Sequence, residues 1–220
     1  MAKVIIFGVE DFASLAHFYL KNDSPHEIVA FSVGEKFLPE AQKFEGLPII
    51  SFENIEEIFS PKDYCFFAPM SYRKMNRLRS QIYIEIKSKG YKMINYISSS
   101  AVIAKETQIG DNCFILERVV IQPFIKIGNN VMIWSGSQVS HHSSIKDHVF
   151  LGAHVALSGH CTVDSYAFLG INSTIRERMH LKEGVLIGMS AAITGETEPW
   201  CIYKGVPAKK SPGSSKDFDI

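Results

Sequence analysis

The sequence predicts a chain of two parts, a small α/β domain with a parallel sheet followed by a parallel β-helix. Two observations carry this prediction. Strand-like and helix-like segments alternate over the first hundred residues, and an aliphatic residue then recurs at every sixth position. A third observation agrees with the second, because a small or β-branched residue usually follows four positions after the aliphatic one.

The N-terminal part contains short apolar runs that read as strands, at residues 3–8, 28–33, 48–50 and 64–68. Helical segments are predicted between them, at residues 12–20, 53–59 and 73–89. Strands that alternate with helices are typical of a parallel sheet. Residues 91–97 are then the last strand or the lead into the β-helix, and we expect an α/β domain over residues 1–96.

The aliphatic series runs without a gap from Ile97 to Ile193. A period of six fits neither a helix nor a plain alternating strand, and it is typical of a β-helix built from hexapeptide repeats. Three hexads make one triangular coil, so residues eighteen apart stack at about 4.8 Å. This predicts a β-helix over residues 97–198, followed by a C-terminal loop and tail over 199–220 whose last ten residues are frayed.

Composition limits the classes of partner. The chain has 23 Lys plus Arg against 23 Asp plus Glu, a formal net charge of zero, which argues against nucleic acid and against a membrane surface held by charge. No signal peptide and no apolar run of membrane-spanning length is visible. The four cysteines form no CxxC pair, so we expect reduced thiols and a cytoplasmic location.

A turn of Gly8, Val9, Glu10 and Asp11 follows the first strand, where a phosphate-binding turn would lie. It lacks the remaining glycines of GxGxxG, so a dinucleotide site is weakly supported. Two interpretations stay open. The segment is an ordinary strand-to-helix turn with Asp11 capping the helix, or a mononucleotide lies at the strand ends.

In the second interpretation, the mononucleotide site also includes Ser32 and Pro69, which lie at the ends of two other predicted strands. Ligands of parallel α/β sheets usually bind at this edge.

Histidines cluster in the repeat region. His142, His148, His154 and His160 each follow an aliphatic position by three, while His141 precedes this register by one. His142 and His160 are eighteen apart, so we expect them to be neighbours on one corner. For His148 and His154 the simpler interpretation is an outward polar surface residue.

Two chemistries suit a histidine on such a scaffold. Zinc-water chemistry, as in the β-helical carbonic anhydrases, uses paired ligands with four residues between them, a spacing that no two histidines here have, so no metal is expected. The other chemistry is acyl transfer from a thioester, in which a histidine takes a proton from the attacking group and a backbone N–H stabilises the oxyanion.

The tail contains Gly205-Val206-Pro207-Ala208 followed by Lys209 and Lys210. Two adjacent lysines on a tight loop suit a phosphate-bearing ligand. A solvated terminus is the alternative interpretation.

Four segments together resemble the left-handed β-helix acyltransferases that modify sugars in bacterial surface-glycan (lipopolysaccharide O-antigen) pathways. They are Val139-Ser140-His141-His142, Leu157-Ser158-Gly159, Phe168-Leu169-Gly170-Ile171-Asn172-Ser173 and Gly205-Val206-Pro207-Ala208-Lys209. More narrowly, the chain is similar to the two-domain group that N-acetylates nucleotide-linked amino sugars and includes sialic acid O-acetyltransferase relatives. The resemblance covers nearly the whole chain and implies a left-handed β-helix.

The resemblance also implies site residues. The general base falls on His141, and His142 takes the next position, where many relatives carry a glutamate that orients the base. Acetyl-coenzyme A (acetyl-CoA), as co-substrate, would lie between two subunits of a homotrimer. Its carbonyl would meet the Gly159 N–H, and its remaining contacts would come from Gly170, Ile171, Gly188, Met189 and Lys209.

The sugar nucleotide would bind the N-terminal domain through Gly8, Val9, Glu10, Asp11, Ser32 and Pro69. Trp134 stands where a sugar-contacting asparagine can stand, and it could stack on the substrate or simply pack. The expected function is acetyl-CoA-dependent N-acetylation of a 4-amino-deoxy-sugar linked to dTDP, UDP or GDP. The alternative is a sugar or sialic acid O-acetyltransferase.

Overall fold

The computed structural model describes residues 1–218, so the last two residues of the predicted tail, 219 and 220, lie outside the described residues. The described chain divides into two compact units. The first comprises Met1–Ser71 and Gln81–Tyr96, and the second comprises Tyr72–Ser80 together with the chain from Ile97 onward.

The first unit is built on a six-stranded sheet, as the alternating pattern predicts. Its strands are β1 (Lys3–Phe7), β2 (Glu27–Val33), β3 (Lys43–Phe44), β4 (Leu47–Ser51), β5 (Tyr64–Phe67) and β6 (Lys92–Met93). The order is β3-β4-β2-β1-β5-β6, and only the β3–β4 pair is antiparallel. The chain therefore winds outward from β1 through β2 and returns to the other side of β1 at β5.

Residues 1–218 contain three α-helices, α1 (Asp11–Asn22), α2 (Ile55–Ile58) and α3 (Arg77–Ser88), with a 3₁₀ turn at Glu35–Phe37. The predicted cap is wrong, because the N-cap residue of α1 is Glu10 and Asp11 is the first helical residue. Helix α3 begins four residues later than predicted, since Lys74, Met75 and Asn76 have φ values of 53°, 54° and 63°, which no right-handed helix allows.

The second unit is a left-handed parallel β-helix of two-residue strands, as the repeat and the resemblance predict. The strands are β7 (Tyr96–Ile97), β8 (Val102–Ile103), β9 (Gln108–Ile109), β10 (Phe114–Ile115), β11 (Val120–Ile121), β12 (Lys126–Ile127), β13 (Met132–Ile133), β14 (Gln138–Val139), β15 (Ser144–Ile145), β16 (Phe150–Leu151), β17 (Ala156–Leu157), β18 (Thr162–Val163), β19 (Phe168–Leu169), β20 (Thr174–Ile175), β21 (His180–Leu181), β22 (Leu186–Ile187) and β23 (Ala192–Ile193).

These strands form three faces. Face 1 runs from β7 through β10, β13, β16, β19 and β22, face 2 from β8 to β23, and face 3 from β9 to β21. We name the corners by a residue. The Ile171 corner joins faces 1 and 2, the His141 corner joins faces 2 and 3, and the His148 corner joins face 3 to face 1 of the next coil.

The aliphatic positions fill the interior, as predicted. From Ile115 to Ile193 each is at most 4% exposed, whereas Ile97, in the first coil, is 37% exposed. Interior hydroxyls and thiols bond to the backbone. Ser137 Oγ donates to Gly152 O at 2.8 Å and Cys161 Sγ to Arg176 O at 3.2 Å. All four cysteines are free, as the absence of CxxC pairs predicted.

The C-terminal segment is ordered, so the predicted fraying of the last ten residues is wrong for those that the structure describes. Strand β24 (Cys201–Lys204) extends face 1 and pairs antiparallel with β25 (Lys209–Ser214) around a turn at 205–208. A 3₁₀ turn follows at Ser215–Asp217.

Among residues 1–218, every helix is too short or too polar to cross a lipid bilayer.

Candidate functional site

The His141 corner brings together the predicted base and the predicted oxyanion donor. A Cβ atom placed on Gly159 would lie 2.8 Å from His141 Cε1 and 3.1 Å from His141 Nε2, so the imidazole rests against the bare backbone of the next coil. The two turns are locked in register, because the His160 N–H donates to His141 O at 3.0 Å.

His141 Nδ1 lies 3.1 Å from His142 Nδ1, a hydrogen-bond distance in which one nitrogen must carry the proton. The His142 ring stacks on His160 at 4.8 Å and 12° and lies 4.7 Å from Phe124. Phe124, His142 and His160 are spaced by eighteen, and their φ values are 66°, 58° and 58°. The shared left-handed backbone aims all three rings in one direction and makes a column of exposed rings beside His141.

The surroundings of His160 disfavour its positively charged form. The pKa of His160 is lowered from its ordinary value, first by desolvation and then by Arg178, His142 and His141, while Glu177 acts in the opposite sense. The lowered pKa favours the neutral form of His160, so this imidazole carries little positive charge beside His141.

Gly159 itself is buried, and its carbonyl accepts from the Arg178 N–H at 3.0 Å. Within residues 1–218, nothing accepts a hydrogen bond from the Gly159 N–H. A backbone donor held beside an imidazole is the arrangement that stabilises a developing oxyanion.

The remaining predicted cofactor residues lie on a different corner of the triangle. Gly170, Ile171, Gly188 and Met189 all belong to the Ile171 corner, separated from His141 by face 2. Ile171 and Met189 are 51% and 74% exposed. The N–H groups of Gly170 and Gly188 already donate to Ile187 O and Tyr203 O, both at 2.8 Å. Within one chain, the structure does not bring this group to His141.

The lysines of the tail behave differently from one another. Lys210 Nζ lies 2.6 Å from Glu198 Oε2, so this cation is paired. Lys209 begins β25 and is exposed, and Lys204 Nζ lies 5.8 Å from the Phe218 ring. Lys204 and Lys209 are therefore both exposed to solvent.

Trp134 is half-buried, with its ring 6.1 Å from Phe150. Phe150 in turn stacks on Phe168 at 5.3 Å. Of the two interpretations offered for Trp134, the geometry favours packing.

The predicted nucleotide residues lie at the carboxyl ends of β1, β2 and β5. Gly8, at φ 114°, donates its N–H to Ser32 O at 2.8 Å, and Val9, Glu10 and Asp11 continue into α1. Ser32 is fully buried and its Oγ has no hydrogen-bond partner among the described residues, while Pro69 is buried after β5. Because β2 is added on one side of β1 and β5 on the other, the strand order reverses here. Such a switch point is where parallel sheets of this kind bind ligands.

The prediction that His148 is an outward surface residue is wrong, because only 8% of this residue is exposed. Its Nδ1 accepts from Asn130 Nδ2 at 2.9 Å. Burial and then the nearby Arg79 lower the pKa of His148 to about 4, against a smaller opposite effect of Asp147.

Arg79 explains why the His148 corner is covered. This fully buried side chain donates to Asn130 Oδ1 at 2.9 Å, to Asn76 Oδ1 at 2.8 Å and to the carbonyls of Asn130 and His148. The segment 72–80 thus packs on one corner of the β-helix. The sequence of residues 72–80 contains no pattern that predicts packing on the β-helix.

Comparison with known proteins supports the same fold. The bacterial transferase hexapeptide family profile, of six repeats, matches residues 106–141 and 124–159. No curated protein sequence matches the chain. The predicted hexapeptide repeats are therefore confirmed over the middle of the β-helix.

Solved structures match over both units. A histidine variant of perosamine N-acetyltransferase from Caulobacter crescentus, in complex with CoA and GDP-perosamine, matches at a TM-score of 0.84 and 20% identity, over 97% of this chain and 98% of that one. The acetyltransferase domain of PglB from Neisseria gonorrhoeae FA1090 matches at 0.80 and 18%, over 96% and 100%. WeeI from Acinetobacter baumannii AYE matches at 0.69 and 18%, over 96% and 100%. The chain thus has the same fold as these proteins over nearly its whole length.

Proposed function

We propose that the protein is an acetyl-CoA-dependent N-acetyltransferase that acts on a nucleotide-linked 4-amino-deoxy-sugar. The observation that carries the proposal is the contact between the His141 imidazole and the Gly159 backbone. Direct acyl transfer requires a base that accepts the proton of the attacking amine and a donor that stabilises the oxyanion. The imidazole and the Gly159 N–H are these two groups. The shared fold with perosamine N-acetyltransferase supports the substrate class.

In the proposed reaction, the substrate amine attacks the thioester carbonyl while His141 Nε2 accepts its proton. The Gly159 N–H donates to the carbonyl oxygen as negative charge develops there. The C–N bond forms, the C–S bond breaks, and the thiolate leaves and takes up the proton from His141. No covalent intermediate with the protein is required.

The 3.1 Å contact between the two Nδ1 atoms defines the role of His142. For His141 Nε2 to be free to accept a proton, His141 must carry its own proton on Nδ1 and donate it to His142 Nδ1. His142 is therefore a positioning residue that selects the productive tautomer. A neutral acceptor stabilises the resulting imidazolium less than the carboxylate found in many relatives would.

The Ile171 corner supports an assembly. Its exposed Ile171 and Met189 suit the pantetheine of CoA, but they lie one face away from His141 in the same chain. A homotrimer that apposes the Ile171 corner of one subunit and the His141 corner of the next would complete the site. Lys209 would meet the nucleotide end of CoA there.

The N-terminal unit would hold the nucleotide of the sugar at the switch point near Gly8, Ser32 and Pro69. The unpartnered Ser32 Oγ offers a buried hydroxyl at that edge. We place the enzyme in the cytoplasm, where acetyl-CoA and nucleotide sugars are made, and in bacterial surface-glycan synthesis.

The test is a CoA-release assay against GDP-, UDP- and dTDP-linked 4-amino sugars, with the matching hydroxyl sugars and sialic acid as controls. Turnover that depends on the amino group supports the proposal. Turnover on hydroxyl sugars alone would assign O-acetylation instead, and no CoA release with any acceptor would overturn the proposed class.

A further inference from the structure

The cluster formed by His141, His142 and His160 contains more imidazoles than acyl transfer needs. Each residue offers one ring nitrogen, and the three nitrogens lie within 4.8 Å of one another. No metal was expected, because no two histidines have the spacing of known β-helical zinc sites. However, the eighteen-residue stacking brings three histidines of one chain together on one corner.

The distances match a metal site. Two nitrogens bound to tetrahedral Zn²⁺ at 2.0–2.1 Å lie roughly 3.3 Å apart, and His141 Nδ1 and His142 Nδ1 are 3.1 Å apart. His160 would be the third ligand, since the three ring nitrogens all lie within 4.8 Å of one another. The backbone is already fixed by the hydrogen bond from His160 N–H to His141 O.

The exposure of the cluster also suits a metal. All three side chains are exposed, which provides an entry path and leaves a fourth coordination position for water.

We propose that His141, His142 and His160 form a Zn²⁺ site whose occupation inhibits acetyl transfer. Whichever nitrogen of His141 binds the ion, the other carries the ring proton, so no lone pair remains to accept a proton from the substrate amine. The inhibitory consequence rests on the proposed function, whereas the binding of Zn²⁺ does not.

The test is isothermal titration calorimetry of the purified full chain with ZnCl₂, on the wild type, His160→Asn and His154→Asn. Asparagine tolerates the left-handed backbone at both positions, and His154 is an exposed histidine at the same repeat position on a different corner. We expect one Zn²⁺ per chain, affinity at least about tenfold weaker in His160→Asn, and no change in His154→Asn. Equal affinity in His160→Asn, or equal loss in both variants, would overturn the site.

A CoA-release assay in the same Zn²⁺ titration separates the two claims. Turnover that falls with an inhibition constant equal to the calorimetric Kd, and returns with a chelator, supports the inhibition. Zinc binding with undiminished turnover overturns the inhibition but leaves the site. Zinc binding in a protein that releases no CoA with any acceptor overturns the proposed function instead.

Discussion

His142 and His148 occupy the same place in successive hexads, and both have a left-handed backbone, with φ values of 58° and 63°. His142 is exposed beside His141, whereas His148 is buried under the segment 72–80 and bonded to Asn130. The repeat fixes the direction of each side chain, whereas the segment packed over a corner determines how exposed that side chain is. The His141 corner is therefore open to ligands, and the covered His148 corner contributes to stability.

The largest effect on stability is expected at Arg79, which holds the covering segment on the His148 corner. Arg79→Ala leaves Asn76 Oδ1 and the Asn130 carbonyl without the donor that Arg79 supplies and opens a cavity, so we expect a loss of about 3 kcal/mol in the free energy of unfolding. Arg77→Ala is the matched control, since Arg77 lies in the same helical turn but is exposed. Equal denaturation midpoints for both variants would show that the buried guanidinium does not hold the segment.

His148 should make folding sensitive to acid. The unfolded chain takes up a proton near pH 6.5, while the folded chain does so only near its lowered pKa of about 4. Stability from this group is therefore complete above pH 6.5 and falls by up to about 3 kcal/mol as the pH drops from 6.5 to 4. Urea unfolding across this range measures the slope.

His148→Asn is the control for the acid effect, because asparagine keeps the left-handed backbone and removes the titrating group. The pH slope between 4 and 6.5 should flatten in this variant. An identical slope in wild type and variant would mean that the buried histidine is not its source.

On the His141 corner, a substitution at Gly159 tests the contact between the imidazole and the backbone. Gly159→Ala places a methyl group 2.8 Å from His141 Cε1, and a displaced base should lower kcat about a hundredfold. Gly195→Ala is the matched control, because Gly195 is thirty-six residues further along the same register and a Cβ there meets nothing within 4 Å. Similar kcat values for both variants would contradict the proposed contact between base and backbone.

A smaller effect is expected at His142. Replacing it with asparagine removes a neutral hydrogen bond, worth about 1 kcal/mol, so kcat should fall about fivefold. His142→Glu should restore kcat and raise the apparent pKa of the base in the kcat–pH profile, because a carboxylate stabilises the imidazolium. An unmoved pH profile in both variants would leave His142 with no positioning role.

Much of this architecture follows from the sequence because a β-helix is locally encoded. Each hexad repeats the interior residue, so the positions from Ile115 to Ile193 could be predicted as buried without knowing any contact. The same register placed His142 beside His160 and Gly159 one coil from His141.

What the sequence did not predict depends on long-range contacts. The segment 72–80 was predicted as part of a long helix, but its left-handed residues and Arg79 pack on the β-helix through contacts to Asn130 and His148. No periodicity marks such a contact. The order of the tail was missed for a similar reason, since β24 extends face 1 only once the last coil is in place.

The claim that exposure divides the two corners into catalytic and structural roles is tested most directly by one paired measurement. It compares kcat and melting temperature for His141→Asn and His148→Asn, with acetyl-CoA and the preferred amino-sugar nucleotide. We predict a kcat lower by about a hundred- to ten-thousandfold and an unchanged melting temperature for His141→Asn, and a lower melting temperature with wild-type kcat for His148→Asn. Wild-type turnover in His141→Asn would contradict the account.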